Sequence, residues 1–147
     1  MWLASQDRLK TKSRLLKVGI GLDSNCAICD TSEETVSHLF FGCNYSKECR
    51  NLILLWLGLP CYNGDLNKLL KWARKQGSSK FTRQTIYTAC AGLVYHVWKA
   101  RNTAVWEASV PSVQHTVERI QKDTKGRIQQ LLGKKVRNSE LNWFHSL

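Results

Sequence analysis

The chain has 147 residues, of which 43% are hydrophobic and 22% are charged, so it is long enough to bury a core and too apolar to be a disordered or collagen-like chain. It carries 22 lysines and arginines against 11 acidic residues, a net charge of +11 that favours polyanionic partners, above all nucleic acid. The longest apolar run, residues 52–59, is far shorter than the ~20 residues that cross a bilayer, and no secretion signal opens the chain. We therefore expect an intracellular protein, in the nucleus or the cytoplasm, that has no contact with a membrane.

Helical periodicity dominates the sequence and predicts a mainly α fold. The predicted helices, in chain order, cover residues 5–18, 32–41, 47–57, 65–76, 81–108 and a last segment that starts near 109–112 and runs to 132. The second of these depends on Thr31 and Glu34, which have the spacing of a capping box, and on Gly42, which can end it in the left-handed conformation. Residues after Gly133 are expected to form a polar tail. No alternation typical of a β-strand extends beyond four residues.

The strongest chemical signal is the motif Cys26-x2-Cys29-x8-His38-x4-Cys43. A gap of two residues lets one tight turn present two thiolates to one ion, and the other two ligands must come from a second element. Gly42 can end the helix that carries His38 and turn the chain back just before Cys43. Four ligands from the protein leave no open coordination position, so the motif predicts a structural Zn²⁺ site rather than a catalytic one.

Two alternatives to this ligand set remain open. The cysteines could be buried free thiols beside an ordinary histidine, or Cys49 could replace His38 as a ligand. Cys61 and Cys90 are expected to act as small, buried or half-buried apolar side chains. Three other histidines have no ligand-like spacing and are interpreted as ordinary residues: His96, His115 and His145.

Three stretches of the sequence resemble the zinc-binding domain that follows the reverse transcriptase in plant LINE-type (non-LTR) retrotransposon polyproteins. They are Arg8-Leu-Lys-Thr-Lys-Ser-Arg-Leu-Leu16, Cys26-Ala-Ile-Cys29 and Glu33-Glu-Thr-Val-Ser-His-Leu-Phe-Phe-Gly-Cys43. The resemblance covers about residues 2–60, and residues 65–147 have a weaker likeness to the helical tail found downstream of that domain. It implies a zinc-dependent role in nucleic-acid binding, with Cys26, Cys29, His38 and Cys43 as ligands.

We accordingly divide the chain into two parts. Residues 1–60 are predicted to form a small zinc-stabilised CCHC module with flanking helices. Residues 61–147 are predicted to form a basic helical region, a bundle or a long tail, that packs on the module or extends from it.

Basic side chains that could contact phosphate groups fall into three clusters. The N-terminal cluster comprises Arg8, Lys10, Lys12, Arg14 and Lys17. The middle cluster comprises Lys68, Lys71, Trp72, Arg74, Lys75, Lys80 and Arg83, and the C-terminal cluster comprises Lys122, Lys125, Arg127, Lys134, Lys135 and Arg137. An exposed Trp72 could stack on an unpaired base, although packing in the core is the stronger interpretation for this residue alone. Core positions are expected for Trp56, Trp98 and Trp106.

The sequence lacks the features that catalysis would require. It has no set of paired carboxylates for phosphoryl chemistry, no Ser/His/Asp order and no glycine-rich phosphate loop. We therefore expect a non-catalytic module that binds RNA or DNA, derived from or resembling a retrotransposon zinc-binding domain. The alternative is a zinc-stabilised protein-interaction module, in which the apolar face of helix 81–108 forms a homo-oligomer.

Overall fold

The computed structural model describes residues 9–130 and 136–147 of the chain. In these ranges the helices are α1 (Lys12–Lys17), α2 (Asn44–Trp56), α3 (Leu66–Ala73), α4 (Lys80–Glu107), α5 (Val113–Gln130) and α6 (Asn138–Ser146), and a π-helical turn, here called the π turn, covers His38–Gly42. The same ranges contain no β-strand, only an isolated antiparallel bridge between Asn25 and Glu33. The prediction of a mainly α fold, with a Cys/His group near the N-terminus followed by helices, is confirmed. None of the described helices has the length and apolar character needed to cross a membrane.

Four of the predicted helices are confirmed with small changes at their ends. The apolar periodicity of residues 47–57, 65–76 and 81–108 corresponds to α2, α3 and α4, and the last predicted helix corresponds to α5. Asp65 and Ser79 act as the N-caps of α3 and α4, because their side chains accept hydrogen bonds from the third helical backbone N–H. The predicted end of the last helix, at residue 132, lies outside the described residues.

Two local predictions were wrong. Residues 32–35 are not helical, and the helical turn of the second segment begins only at Val36, so the predicted helix 32–41 lacks its first four residues. The first helix begins at Lys12 in the described part of the chain, because Thr11 is extended at φ −71° and ψ 158°. The polar tail predicted beyond Gly133 contains a further helix, α6, that was not among the predicted helices.

The C-terminal helix α6 is fixed by a cap and by one buried ring. The Glu140 carboxylate accepts a hydrogen bond from the Arg137 backbone N–H at 2.9 Å. A hydrogen bond from the Ser79 side chain, together with that backbone bond, lowers the pKa of Glu140 to about 2. Phe144 is 2% exposed and packs edge-on against Phe81 at a centroid distance of 5.8 Å. These contacts hold α6 against the start of α4.

The core lies around α4, which packs against α2, α3, α5 and the π turn. One buried cluster contains residues from both predicted parts, for example Ile53, Leu93 and Ile120. The predicted division of the chain at residue 60 stays a prediction. The apolar face of α4 points into this cluster, and its buried members include Ile86, Ala89, Cys90, Leu93, Val94 and Val97. The face that a homo-oligomer was expected to use is therefore covered by helices of the same chain.

Two expected core residues lie at the surface. Trp106 is 82% exposed, and Cys61 is exposed in the loop before α3. Trp56 is half-buried, and its indole N–H donates to the Leu147 backbone oxygen at 2.6 Å. Trp98 is also half-buried and packs on the core, and Cys90 is fully buried as expected.

Candidate metal centre and basic surface

The first two cysteines lie in a tight loop that the backbone closes on itself. The Cys26 N–H donates to the Ser32 carbonyl at 2.8 Å, and the Cys26 carbonyl accepts from the Asp30 N–H at 2.8 Å. Asp30 adopts a left-handed φ of 53°, which completes the turn. The loop places the side chains of Cys26 and Cys29 beside each other.

The other two candidate ligands lie at the two ends of the π turn. The Thr35 hydroxyl, rather than the predicted Thr31, caps it by accepting from the His38 N–H at 3.0 Å. The Cys43 N–H donates to the His38 carbonyl at 2.7 Å, so the chain returns to the histidine just before the last cysteine. Gly42 does not have the expected left-handed conformation, since it is not among the positive-φ glycines of the described chain. A Cβ at Gly42 would lie 2.9 Å from His38 Nδ1, so close approach of the imidazole ring explains the glycine.

Side chains of α2 hold the π turn in place. The Ser46 hydroxyl donates to the Leu39 carbonyl, and the Arg50 guanidinium donates to the Phe40 carbonyl at 3.3 Å. Arg50 is 5% exposed and lies over the Phe41 ring at 5.2 Å from its centroid. Sequence patterns gave no sign that this arginine is buried, because it stands in a polar stretch of the helix.

The four predicted ligands come together into one group. One candidate ligand atom from each of Cys26, Cys29, His38 and Cys43 lies within 4.8 Å of all the others. The Cys29 sulfur is 3.3 Å from His38 Nε2. Tetrahedral Zn²⁺ with Zn–S and Zn–N bonds of ~2.3 and ~2.0 Å separates its ligand atoms by roughly 3.5–3.8 Å, which this group can adopt with small movements. Cys26 and Cys43 are fully buried, and Cys29 and His38 are half-buried.

The alternative ligand Cys49 does not join this group. It lies in α2, is fully buried, and burial raises the pKa of its thiol to about 12. It is not among the residues whose ligand atoms lie within 4.8 Å of one another. Among the described residues, the Cys₃His set is the one the structure brings together.

The buried sulfurs are stabilised as a pair in the protein alone. A hydrogen bond between the two sulfurs lowers the pKa of Cys43 and, together with burial, raises the pKa of Cys26 well above its usual range. Backbone N–H groups of Tyr45 and Ser46, at the start of α2, also lower the pKa of Cys43. A helix N-terminus favours a thiolate in this way, and a metal ion would favour deprotonation of the remaining thiols further.

The buried carboxylate of Glu34 supports the cysteine loop by a hydrogen bond to its backbone. Glu34 is 0% exposed, and its Oε1 accepts from the Lys12 backbone N–H at 2.8 Å and from Arg101 Nη2 at 2.8 Å. Its Oε2 accepts from the Ala27 N–H at 3.0 Å, inside the cysteine loop. Glu34 thus joins the start of α1, the cysteine loop and α4. The capping-box spacing of Thr31 and Glu34 in the sequence did not indicate this role.

One lysine of the N-terminal cluster is held in an ion pair. Lys10, Arg14 and Lys17 are exposed, but the Lys12 ammonium binds Asp23 at 2.9 Å. Arg8 lies outside the described residues. This cluster lies beside the metal centre, because the Glu34 carboxylate holds the start of α1.

The middle cluster lies on α3, on the turn after it and on the first turn of α4. Lys68 pairs with Asp65 at 3.2 Å. The other cations of the cluster are exposed and form no ion pair with a described residue: Lys71, Arg74, Lys75, Lys80 and Arg83. Arg74 lies over the Tyr87 ring at 4.8 Å and shares an open groove with Lys80 and Arg83. Trp72 is half-buried and packs on Tyr62 at a centroid distance of 4.9 Å, so it is not a freely exposed stacking platform.

The C-terminal cluster is only partly described. Lys122 and Arg127 are exposed on α5, and Lys125 is half-buried there. Arg137 is exposed and contacts Glu140 at 3.4 Å. Lys134 and Lys135 lie outside the described residues.

Comparison with known proteins gives one match. Residues 1–49, which are 49 of the 147 residues, match a protein family described as zinc-binding in reverse transcriptase. No curated protein and no solved structure matches the chain. The match and the three-sulfur, one-nitrogen donor set confirm the predicted zinc cofactor. The Cys₃His group therefore lies inside a segment that is similar to the zinc-binding domain of reverse transcriptases.

Proposed function

We propose that this chain is a zinc-stabilised, non-catalytic module that binds RNA or DNA, of the type found in plant LINE retrotransposons. The observation that carries the proposal is the Cys₃His group within the matched segment of a chain whose net charge is +11. Cys26, Cys29, His38 and Cys43 would hold the ion. With four ligands from the protein, zinc would act as a structural ion and contribute on the order of 10 kcal/mol to folding.

The middle cluster is the proposed phosphate-binding surface. Its five exposed cations lie on α3, on the turn after it and on α4, two helices that pack on each other, and none of them forms an ion pair with a described acidic residue. If each cation contacts one phosphate, the logarithm of the binding constant should fall with the logarithm of salt concentration with a slope of about −4.5 on duplex DNA and about −3.5 on a single strand. The magnitude of this slope therefore measures the number of contacts between cations and phosphate groups.

The experiment measures dissociation constants of the zinc-loaded chain for duplex and single-stranded RNA and DNA. The salt concentration is varied from about 50 to about 300 mM, which is wide enough to determine the slope. Lys71→Gln/Lys75→Gln should reduce the magnitude of the duplex slope by about 1.8. Lys47→Gln/Lys122→Gln removes the same charge from exposed positions outside the middle cluster and should change it less. Binding that is independent of salt would contradict the proposal, and so would binding that is unchanged when zinc is removed by a chelator.

A second candidate function, protein interaction, is favoured by two exposed rings on α4. Tyr95 is 58% exposed and Trp106 is 82% exposed, so an interface on this helix would use its outer face rather than the buried apolar face. Light scattering tests it directly. A stable oligomer that Trp106→Ser dissociates, together with no affinity for nucleic acid, would favour this function over the first.

A further inference from the structure

A cavity of about 160 Å³ lies between the second half of α4 and the first two turns of α5, and neither the candidate metal ligands nor the members of the three basic clusters line it. Polar side chains from both helices line it. From α4 come His96, Lys99 and Thr103, and from α5 come His115, Thr116 and Arg119. Sequence analysis assigned a role to none of these six residues.

The free charges in this cavity are positive. Lys99 and Arg119 are both exposed, and neither forms an ion pair with a described residue. They line the same cavity from different helices. Cations that line a concave surface raise the local concentration of anions.

The nearby acidic group is already engaged. Asp123 Oδ2 lies 2.9 Å from Nε2 of His96, which is 7% exposed. An ionised carboxylate only accepts hydrogen bonds, so His96 Nε2 must carry the proton and donate. Asp123 is held on His96 in this way, and it is not among the residues that line the cavity.

The two threonines differ in the availability of their hydroxyl groups. Thr116 is bonded to the Tyr45 hydroxyl at 2.6 Å and is 4% exposed. Thr103 is half-buried, and its hydroxyl forms no hydrogen bond with a described residue, so it can donate to a ligand. One guanidinium, one ammonium and one free hydroxyl are the donors typical of a phosphate site.

We propose that this cavity binds a phosphate monoester, the terminal phosphate of a nucleic-acid strand. A monoester carries up to two negative charges and has a single substituent, so three of its oxygens can face donors from both helices while the strand extends out of the cavity. A phosphodiester within a strand has two substituents and suits an open groove such as that of the middle cluster. The identity of the strand rests on the proposed function, whereas the binding of the phosphate group itself does not.

The test compares the affinity of the zinc-loaded full chain for otherwise identical oligonucleotides with 5′-phosphate, 3′-phosphate or hydroxyl ends. We expect one phosphorylated end to bind about tenfold more tightly than the hydroxyl end, as for hydrogen bonds to a charged group. Lys99→Gln/Arg119→Gln should remove this preference. Lys47→Gln/Arg127→Gln is the matched control, because it replaces one exposed lysine and one exposed arginine outside the cavity, and it should keep the preference. All four changed side chains are exposed, and circular dichroism checks that each variant is folded.

A second arm uses inorganic phosphate and a nucleoside monophosphate as probes, followed by amide NMR shifts at Thr103 and Arg119. Equal affinity for all ends in the wild type, or a preference that survives Lys99→Gln/Arg119→Gln, would overturn the cavity proposal and leave the proposed function intact. Shifts from the monophosphate that the double variant loses, without affinity for any oligonucleotide, would support the cavity and refute the proposed function. Absence of binding in both arms would refute both.

Discussion

Replacement of Glu34 by glutamine should destabilise the whole fold. Glu34→Gln keeps the shape of the side chain but removes its charge, and it leaves the Arg101 guanidinium, which is 5% exposed, without a counterion. The substitution also replaces one acceptor oxygen by a donor. With the amide oxygen in place of Oε1, the new NH₂ group would face the Ala27 N–H, which Oε2 now accepts.

The magnitude follows from these two losses. Removal of one partner from a buried ion pair costs about 3–5 kcal/mol, because the other charge stays buried without compensation. An unsatisfied backbone N–H at Ala27 would add roughly 1–3 kcal/mol if the loop did not relax. The two losses together amount to about 4–8 kcal/mol, a large share of the ~5–15 kcal/mol that stabilises an ordinary domain. Since Ala27 stands between Cys26 and Cys29, zinc affinity should also fall by about 10–100-fold.

Urea unfolding at a fixed free zinc concentration measures the first effect, and competition with a chromophoric chelator measures the second. Glu33→Gln is the control, because it makes the same chemical change one residue earlier on an exposed side chain. It should change stability by less than about 0.5 kcal/mol. A cycle with Arg101→Met should show that the double variant is less destabilised than the sum of the single ones. If the unfolding free energies of Glu34→Gln and Glu33→Gln differed by less than about 1 kcal/mol, the ion pair would not stabilise the fold as we infer.

Three further predictions test other parts of the structure. Cys26→Ser should lower the zinc content measured by elemental analysis, whereas Cys61→Ser, an exposed cysteine outside the metal centre, should keep one zinc per chain. Phe144→Ala should cost about 3–5 kcal/mol in urea unfolding, since the ring is 2% exposed, and Trp106→Ala less than about 0.5 kcal/mol. Hydrogen bonds from the starts of α4 and α6 lower the pKa of Glu140 from 4.5 to about 2, so its contribution to stability is present above pH 4.5 and is lost as the pH falls towards 2. The difference in unfolding free energy between wild type and Glu140→Gln should therefore be larger at pH 7 than at pH 4, and a difference that is equal at both would be contrary to this assignment.

Local spacing made the metal centre predictable. Three cysteines and a histidine within one short stretch specify a tight loop and a second element without knowledge of the rest of the chain. The long helices were predictable for a similar reason, because their apolar residues repeat every three or four positions. Helix α6 was not, since it has nine residues and a single fully buried side chain, Phe144.

Features that depend on long-range contacts could not be read from the sequence. The Glu34–Arg101 pair joins residues 67 positions apart, and nothing local distinguishes Glu34 from Glu33. The prediction that Trp106 lies in the core was wrong, although its helical spacing in the sequence indicates exposure. Trp106 follows the buried Val97 by nine residues, which is about two and a half helical turns, and so it lies on the opposite face of α4.

The contacts of Glu34 extend the influence of the metal beyond the residues that bind it. Loss of zinc would release the cysteine loop, and with it the Ala27 N–H that holds one oxygen of the carboxylate. The other oxygen binds Arg101 in α4, the helix that also carries part of the middle cluster and Lys99. A chelator should therefore weaken the binding of phosphate groups to the basic residues of α4, although none of these residues is a metal ligand. Glu34→Gln should have the same effect in the presence of zinc, because it breaks the connection between the metal centre and α4 at the carboxylate itself.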